Sequence, residues 1–183
     1  MNTYVALLRG INVGRAKRIS MADLRVLMGA LGHREVTTYL QSGNALFSTA
    51  RTDSDTLAAE IEQAISAQLG MAVRCVVRDR AELARVVSAN PLADVATDPQ
   101  RLLVSFASSR PDPALVATLD PQAYLPEQFA VGEREIYAWL PEGVLESKLT
   151  NAFFERQFGG KKTGMICTAR NWNTVTKLLA LLS

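Results

Sequence analysis

The sequence EVTTYLQSGNALFST occupies residues 35–49 and decides the fold that we predict. Its first part, Glu35 to Leu40, is rich in residues that favour strands. The next four residues, Gln41-Ser42-Gly43-Asn44, supply the side chains typical of a tight turn. The chain then returns through a second strand-forming run, residues 45–49. This pattern predicts a β-hairpin.

Segments on both sides of this hairpin extend the prediction to a complete unit. A helix is predicted from Ser20 to Gly32, and another runs from Asp53 or Ser54 to Gly70. Apolar runs at residues 3–9 and 73–77 predict a strand at each end. The resulting order is β-α-β-β-α-β, the ferredoxin-like plait, in which two helices cover one face of a four-stranded antiparallel sheet.

The second half of the chain repeats the same order of elements. We therefore predict an α+β protein of two ferredoxin-like units in tandem, with a linking helix and a C-terminal helix. The units span residues 1–89 and 90–183, either as separate bodies or as one compact body. Predicted strands are residues 102–107, 129–131, 135–140 and 165–167; predicted helices are 79–89, 113–119, one capped by Ser147, and 170–182.

Composition excludes several classes of protein. The 183 residues include two cysteines and a single histidine, so the nitrogen and sulfur ligands of a zinc site cannot be assembled. We expect Cys75 and Cys167 to be inert core thiols, and His33 to lie in a solvent-exposed loop. The alternative for Cys167 is a thiol whose pKa is lowered by nearby lysines, Lys161 and Lys162. No apolar stretch approaches the roughly 18 residues of a membrane span, and the N-terminus lacks a basic leader. We predict a cytoplasmic protein without metal or cofactor.

The formal net charge of +2 conceals an uneven distribution. Four basic residues and no acid lie between Arg9 and Arg18, and five basic residues and no acid lie between Arg156 and Lys177. By contrast, residues 112–146 contain seven acids and only one cation, Arg134. Two basic segments brought together would attract phosphate or carboxylate groups. The alternative is that each is an ordinary solvated surface.

The first basic segment contains a glycine-rich loop. Gly10 and Gly14 follow a predicted buried strand, where such a loop can turn backbone N–H groups towards an anion. The spacing matches neither the Walker A motif nor the dinucleotide-binding fingerprint. A plain turn is the alternative. The polar side chains of Gln41 and Ser42 are predicted to line the same anion-binding cleft as this loop.

The start of the predicted terminal helix suggests a second anion contact. Thr168 is a plausible N-cap, which places the Arg170 cation in the first helical turn, where the helix dipole disfavours it by about 0.3 to 1 kcal/mol. A bound anion would compensate, because free N–H groups and the guanidinium would both point at it. An ion pair elsewhere, or a side chain that reaches back into water, would compensate equally.

Three longer segments resemble the signatures of one family. LRGINVG at residues 8–14, TYLQSGN at 38–44 and RNWNTV at 170–175 resemble, in order and spacing, those of the bacterial domain of unknown function 1697 family. Weaker likeness is found at Asn90-Pro91 and at YAWLP, residues 137–141. The resemblance implies two ferredoxin-like units, and it implies no activity, substrate or cofactor.

The leading functional hypothesis is a binding module for a small anionic ligand, such as a nucleotide or a phosphorylated metabolite. The alternatives are nucleic-acid binding through phosphate contacts, and an enzyme acting on a phosphoryl or carboxyl group. The sequence assigns no catalytic residue, and it leaves the oligomeric state open. The predicted ligand-binding residues are Arg9, Gly10, Asn12, Gly14, Gln41, Ser42, Asn44, Lys161, Thr168, Arg170 and Asn171.

Overall fold

A computed structural model describes residues 1–159 and 164–183 of the chain. These residues form strands and helices in the alternating order that the sequence predicts. In chain order they are β1 (Asn2–Leu8), α1 (Met21–Ala30), β2 (Arg34–Tyr39), β3 (Asn44–Thr49), α2 (Ser54–Leu69), β4 (Cys75–Asp79), α3 (Arg80–Ser88), β5 (Leu102–Ala107), α4 (Pro113–Val116), a 3₁₀ turn (Pro121–Tyr124), β6 (Gln128–Val131), β7 (Glu135–Trp139), α5 (Asn151–Phe158), β8 (Cys167–Asn171) and α6 (Trp172–Leu181).

The chain divides into two units, each with its own sheet. Unit 1 comprises Met1–Ala84 and Leu178–Ser183, and unit 2 comprises Arg85–Lys177. The strand order is β2-β3-β1-β4 in unit 1 and β6-β7-β5-β8 in unit 2, and all neighbouring strands are antiparallel. Both orders are those of the ferredoxin-like plait, so the predicted fold class is confirmed.

The core of unit 1 lies between its sheet and the helices α1 and α2. Tyr4, Ala6 and Leu8 alternate along β1 and pack with Leu24 of α1 and Ile61 of α2. The intervening residues of β1 are equally buried. Both faces of this strand are therefore shielded from water, as its uninterrupted apolar sequence predicts.

The core of unit 2 is built around aromatic side chains. The rings of Phe154 and Phe158 in α5 stack with their centroids 5.8 Å apart, and Phe129 of β6 approaches both. Burying rings of this size supplies a large part of the apolar area of a small core.

A hydrogen bond that recurs in both units joins the second helix to the last strand. In unit 1 the Glu62 carboxylate accepts a bond of 2.9 Å from the Cys75 backbone N–H. In unit 2 the Glu155 carboxylate accepts one of 2.8 Å from the Cys167 backbone N–H. The duplication inferred from the order of elements thus extends to individual residues.

The junction that follows each of these strands is also repeated. Asp79 ends β4 and caps α3, because its carboxylate accepts a bond of 2.7 Å from the backbone N–H three residues later. Asn171 ends β8 and caps α6 through its side-chain oxygen at 2.9 Å in the same way. A strand therefore leads directly into a helix in both units.

Equivalent arginines precede these caps. Arg78 pairs with Val5 of the central strand β1, and Arg170 pairs with Val104 of the central strand β5. Both side chains are buried. Burial lowers the pKa of the Arg170 guanidinium to about 10, which still leaves it charged at neutral pH.

The predicted starts of two helices in the second half are wrong. The last strand runs to Asn171, so the terminal helix begins at Trp172 rather than at Arg170. Helix α5 begins after Thr150, whose hydroxyl accepts from a first-turn N–H, rather than after Ser147. In both cases a polar residue further along the chain caps the helix.

His33 is buried, with 5% of its surface exposed, so the prediction of an exposed loop histidine is wrong. Its ring packs against that of Phe47, with centroids 4.4 Å apart. Within residues 1–159 and 164–183, neither ring nitrogen has a hydrogen-bond partner. Burial, reinforced by the Arg51 charge and opposed by that of Glu60, lowers the pKa of the His33 imidazole.

This environment predicts that acid destabilises the protein through His33. The unfolded chain takes up the proton near pH 6.5, whereas the folded chain takes it up only at lower pH. The free energy of unfolding therefore decreases as the pH falls below about 6.5. In urea unfolding at about pH 7.5 and about pH 5.5, we expect His33→Leu to reduce this decrease. An identical pH dependence in the two proteins would contradict the assignment.

Candidate functional site

The candidate site of unit 1 lies where the central strand ends. Residues 9–20, here called the basic loop, connect β1 to α1, and residues 40–43 form the hairpin turn between β2 and β3. Because β1 and β3 are antiparallel, Leu7 pairs with Asn44. The Leu8 backbone N–H also donates to the Gly43 carbonyl at 2.9 Å. Strand pairing thus places the basic loop beside the hairpin turn.

Asn12 joins the basic loop to the hairpin turn. Its side-chain amide donates to the Gln41 carbonyl at 2.7 Å and to the Ile19 carbonyl at 2.9 Å. Its side-chain oxygen accepts from the Ile19 N–H at 3.0 Å, and its own N–H donates to the Lys17 carbonyl at 3.0 Å. Asn12 adopts a left-handed backbone with φ of 55°, which asparagine tolerates better than most residues. The loop therefore has a defined conformation.

Gly43 fixes the other side of this junction. Its φ is +87°, and a Cβ atom placed on it would lie 2.7 Å from Ile11 Cδ1 and 2.9 Å from Leu8 Cβ. Only glycine allows both this backbone conformation and this close approach.

A cavity of about 470 Å³ opens at the junction and is here called the loop pocket. Four of its five lining side chains are polar, and one of these, Arg18, is charged. Arg18 uses one guanidinium N–H to donate to the Gly14 carbonyl at 2.7 Å. Ser20 caps helix α1 by accepting from the Asp23 N–H. The lining residues are Asn12, Arg18, Ile19, Ser20 and Gln41.

The other residues predicted in unit 1 contribute in different ways. Arg9 is half-buried, and its backbone N–H donates to the Arg74 carbonyl. Gly10 and Gly14 are exposed, and both have left-handed backbones. They allow the loop to turn.

Asn44 and Ser42 stabilise the hairpin turn from within. Asn44 is fully buried and donates to the Tyr39 carbonyl at 2.7 Å and to the Ser42 hydroxyl at 3.2 Å. Arg18, Ile19 and Ser20 line the loop pocket but are not among the ligand-binding residues predicted from the sequence. The cluster of cations that includes Arg18 is visible in the sequence.

The predicted residues of unit 2 have a different setting from the one expected. Thr168 is not a helix N-cap, and Arg170 is not in a helical turn, because both lie in β8. The guanidinium of Arg170 donates to the Thr168 hydroxyl and to the Ala169 carbonyl, each at 2.8 Å. Asn171, not Thr168, caps the helix. Lys161 lies outside the described residues. The helix-dipole argument for an anion at Arg170 is therefore wrong, and ligand binding by these residues stays a prediction.

Both cysteines lie in the interior, and the described side chains that could bind a metal do not cluster. Cys75 and Cys167 are both buried, and burial raises the pKa of the Cys75 thiol well above its usual range. Among residues 1–159 and 164–183, no three side chains of His, Cys, Asp or Glu cluster as metal ligands would. In the same residues, no helix combines the length and apolarity needed to cross a membrane.

Comparisons with known proteins agree with the fold. The family model described as "Protein of unknown function (DUF1697)" matches residues 1–137. No curated protein matches the chain. The structure is similar to that of the conserved bacterial protein SP0830 from Streptococcus pneumoniae, with a TM-score of 0.75 and 24% identity. The match covers 100% of this chain and 98% of that one. At this identity the likeness shows the fold alone.

The packing of Gly43 predicts unequal effects for two glycine substitutions. Gly14→Ala changes a left-handed residue with open space around it, so we expect a loss of about 1 kcal/mol in the free energy of unfolding. Gly43→Ala adds contact with Leu8 and Ile11, so we expect a loss of about 2 to 4 kcal/mol. Urea unfolding measures both values. Equal losses would show that the hairpin turn does not pack against the basic loop as described.

Proposed function

Because the chain belongs to the DUF1697 family of proteins of unknown function, we propose a function from the geometry of unit 1. The protein binds a small anionic ligand, such as a nucleotide or a phosphorylated metabolite, in the loop pocket. The observation that carries this proposal is a pocket lined mostly by polar residues, beside several cations, between two segments of unit 1 that contain no acid.

The charges around the loop pocket favour an anion. Arg15, Lys17 and Arg18 are exposed, and Arg9 is half-buried. Neither the basic loop nor residues 36–44 contain an acidic residue, and the first acid after the loop is Asp23 in α1. Several cations on one loop create a local positive potential that concentrates anions.

The side chains that line the loop pocket suit a phosphate group. Arg18 presents a planar fork of five N–H donors and uses one of them to contact Gly14, which leaves others for a ligand oxygen. Amide and hydroxyl groups of Gln41 and Ser20 add hydrogen-bonding groups. The volume of about 470 Å³ falls within the range usual for small-molecule sites.

The conformation of the loop further supports binding. The hydrogen bonds of Asn12 hold the basic loop against the hairpin turn through contacts within the protein itself. A ligand that enters a preformed site does not have to order it, and the entropy cost of binding is lower.

A thermal-shift screen of the full chain tests the proposal. The probes are inorganic phosphate, pyrophosphate, nucleotides and sugar phosphates. A ligand present at about 100 times its Kd adds about 2.7 kcal/mol to stability, or roughly 5 to 11 °C in Tm for a chain of this size. We expect such a shift with at least one phosphorylated probe.

Three variants locate the binding site. Arg18→Ala and Gln41→Ala remove side chains that line the loop pocket, and Gln41→Ala keeps the carbonyl that Asn12 contacts. Arg34→Ala is the matched control, because Arg34 is an exposed cation at the far end of β2 from the hairpin turn. We expect the first two variants to lose the shift and the control to keep it. No shift with any probe, or equal shifts in Arg18→Ala and Arg34→Ala, would reject the site.

Nucleic acid is the main competing ligand, because it also presents phosphates. A labelled single-stranded RNA, titrated at increasing salt, separates the two possibilities. Binding of a polyanion through several phosphates weakens steeply with salt. RNA binding of this kind, combined with no response to small phosphorylated probes, would favour the nucleic-acid alternative over the proposed function.

A further inference from the structure

Two loops of unit 2 together form a surface of opposite character to the basic loop. Residues 123–127 of one loop and Glu142, Glu146 and Lys148 of the other line one depression of about 250 Å³. The same two loops carry a surface of exposed aliphatic side chains and carboxylates. We call it the acidic apolar surface, and it consists of Leu125, Glu127, Glu142, Val144, Leu145 and Glu146.

The aliphatic side chains of this surface are unusually exposed. Leu145 is 98% exposed, more than any other large hydrophobic residue in the described part of the chain, and Leu125 and Val144 are about half exposed. A single exposed leucine needs no explanation, whereas a group of them bordered by charges is typical of an interaction site.

The carboxylates of this surface are available to a partner. Glu142 and Glu146 are exposed, and in residues 1–159 and 164–183 their side chains form no ion pair. Among the described residues, Lys148 is the one cation that lines the depression, against three glutamates. The surface therefore has a net negative charge, and its partner must present cations next to an apolar group.

The basic loop of unit 1 has this combination of groups. Val13 is 72% exposed, and Arg15, Lys17 and Arg18 are exposed within five residues of it. Leu40, in the adjoining hairpin turn, is also exposed. We propose that the acidic apolar surface binds the basic loop of a second copy of this chain.

The chemistry of this contact sets its properties. Opposite charges on the two surfaces favour encounter and decide which surfaces meet, and the aliphatic side chains lose contact with water when they do. When the acidic apolar surface of one copy binds the basic loop of another, the pair still has one basic loop and one acidic apolar surface free, unless the two copies bind each other reciprocally. Association therefore grows with protein concentration and does not stop at a dimer unless the chain of copies closes.

Sedimentation of the full chain tests the proposal. We expect the weight-average mass to rise above that of the monomer with increasing protein concentration at about 0.01 M salt, where the Debye length is about 30 Å. It should return towards the monomer at about 1 M salt, where that length is about 3 Å. A monomer at every concentration and salt overturns the proposal.

Charge reversal identifies the surfaces. Glu142→Lys with Glu146→Lys should abolish association, and so should Arg15→Glu with Lys17→Glu and Arg18→Glu. An equimolar mixture of these two variants should associate again, because each then meets its opposite charge. Association that survives either reversal, or a mixture that stays monomeric, overturns the proposal.

Two single substitutions complete the test. Leu145→Ser should weaken association without a change of charge, whereas Asp94→Lys, at an exposed acid outside the surface, should leave it unchanged. An effect of Asp94→Lys as large as that of Glu146→Lys would mean that net charge, and not this surface, controls association. Failure of this inference is distinguishable from failure of the proposed function, because Glu146→Lys lies outside the loop pocket and should keep the thermal shift produced by a phosphorylated probe.

Discussion

The central strand of unit 1 imposes the constraint on which the candidate site depends. Both faces of β1 are buried, so its backbone polar groups must be satisfied by neighbouring strands on both edges. Antiparallel pairing with β3 then brings the end of β1 to the start of β3, where Leu7 pairs with Asn44. The loop that leaves β1 and the turn that precedes β3 become neighbours as a consequence. The strand topology alone places the loop beside the turn, and the contacts of Asn12 and Gly43 then fix how the two segments pack.

The same topology produces a different chemistry in unit 2. Ala107 ends the central strand β5 and donates to the Arg134 carbonyl, as Leu8 donates to that of Gly43. The residue after the turn is Glu135, which is buried and accepts from Arg85 at 3.0 Å, whereas Asn44 occupies the equivalent position in unit 1. Unit 2 thus supplies its own carboxylate at this corner. In unit 1 the basic loop and the hairpin turn at this corner carry cations and no acid, and this difference supports the anion site proposed there.

Periodicity and turn chemistry were sufficient to predict the plait, because the hairpin of residues 35–49 and the caps at Ser20 and Asp53 are local signals. Arg170 was misplaced because a cation two residues before a helix can belong to a strand or to a first turn, and strand pairing decides between them. The ring of His33 packs against Phe47 of the neighbouring strand β3, and no local sequence pattern reveals a contact between residues so far apart in the chain. The hydrogen bonds from the backbone N–H groups of Cys75 and Cys167 to glutamate side chains could not be predicted from the sequence. The two halves of the chain match only at isolated positions, so no residue-level repeat points to these bonds. The distribution of charge along the sequence located the basic loop. The loop pocket could not be predicted in this way, because it depends on the hydrogen bonds that Asn12 makes to Ile19 and Gln41.

The two proposals concern the same loop, and this links them thermodynamically. An anion in the loop pocket neutralises part of the charge on Arg18 and its neighbours, which is the charge that attracts the acidic apolar surface of a second copy. If the anion binds the free loop better than the associated one, association must weaken anion binding by the same factor by which the anion weakens association. Phosphate would then act in two ways, by general screening and by occupying the loop pocket. Gln41→Ala separates these effects, because it removes a pocket side chain and leaves the charge of both surfaces unchanged.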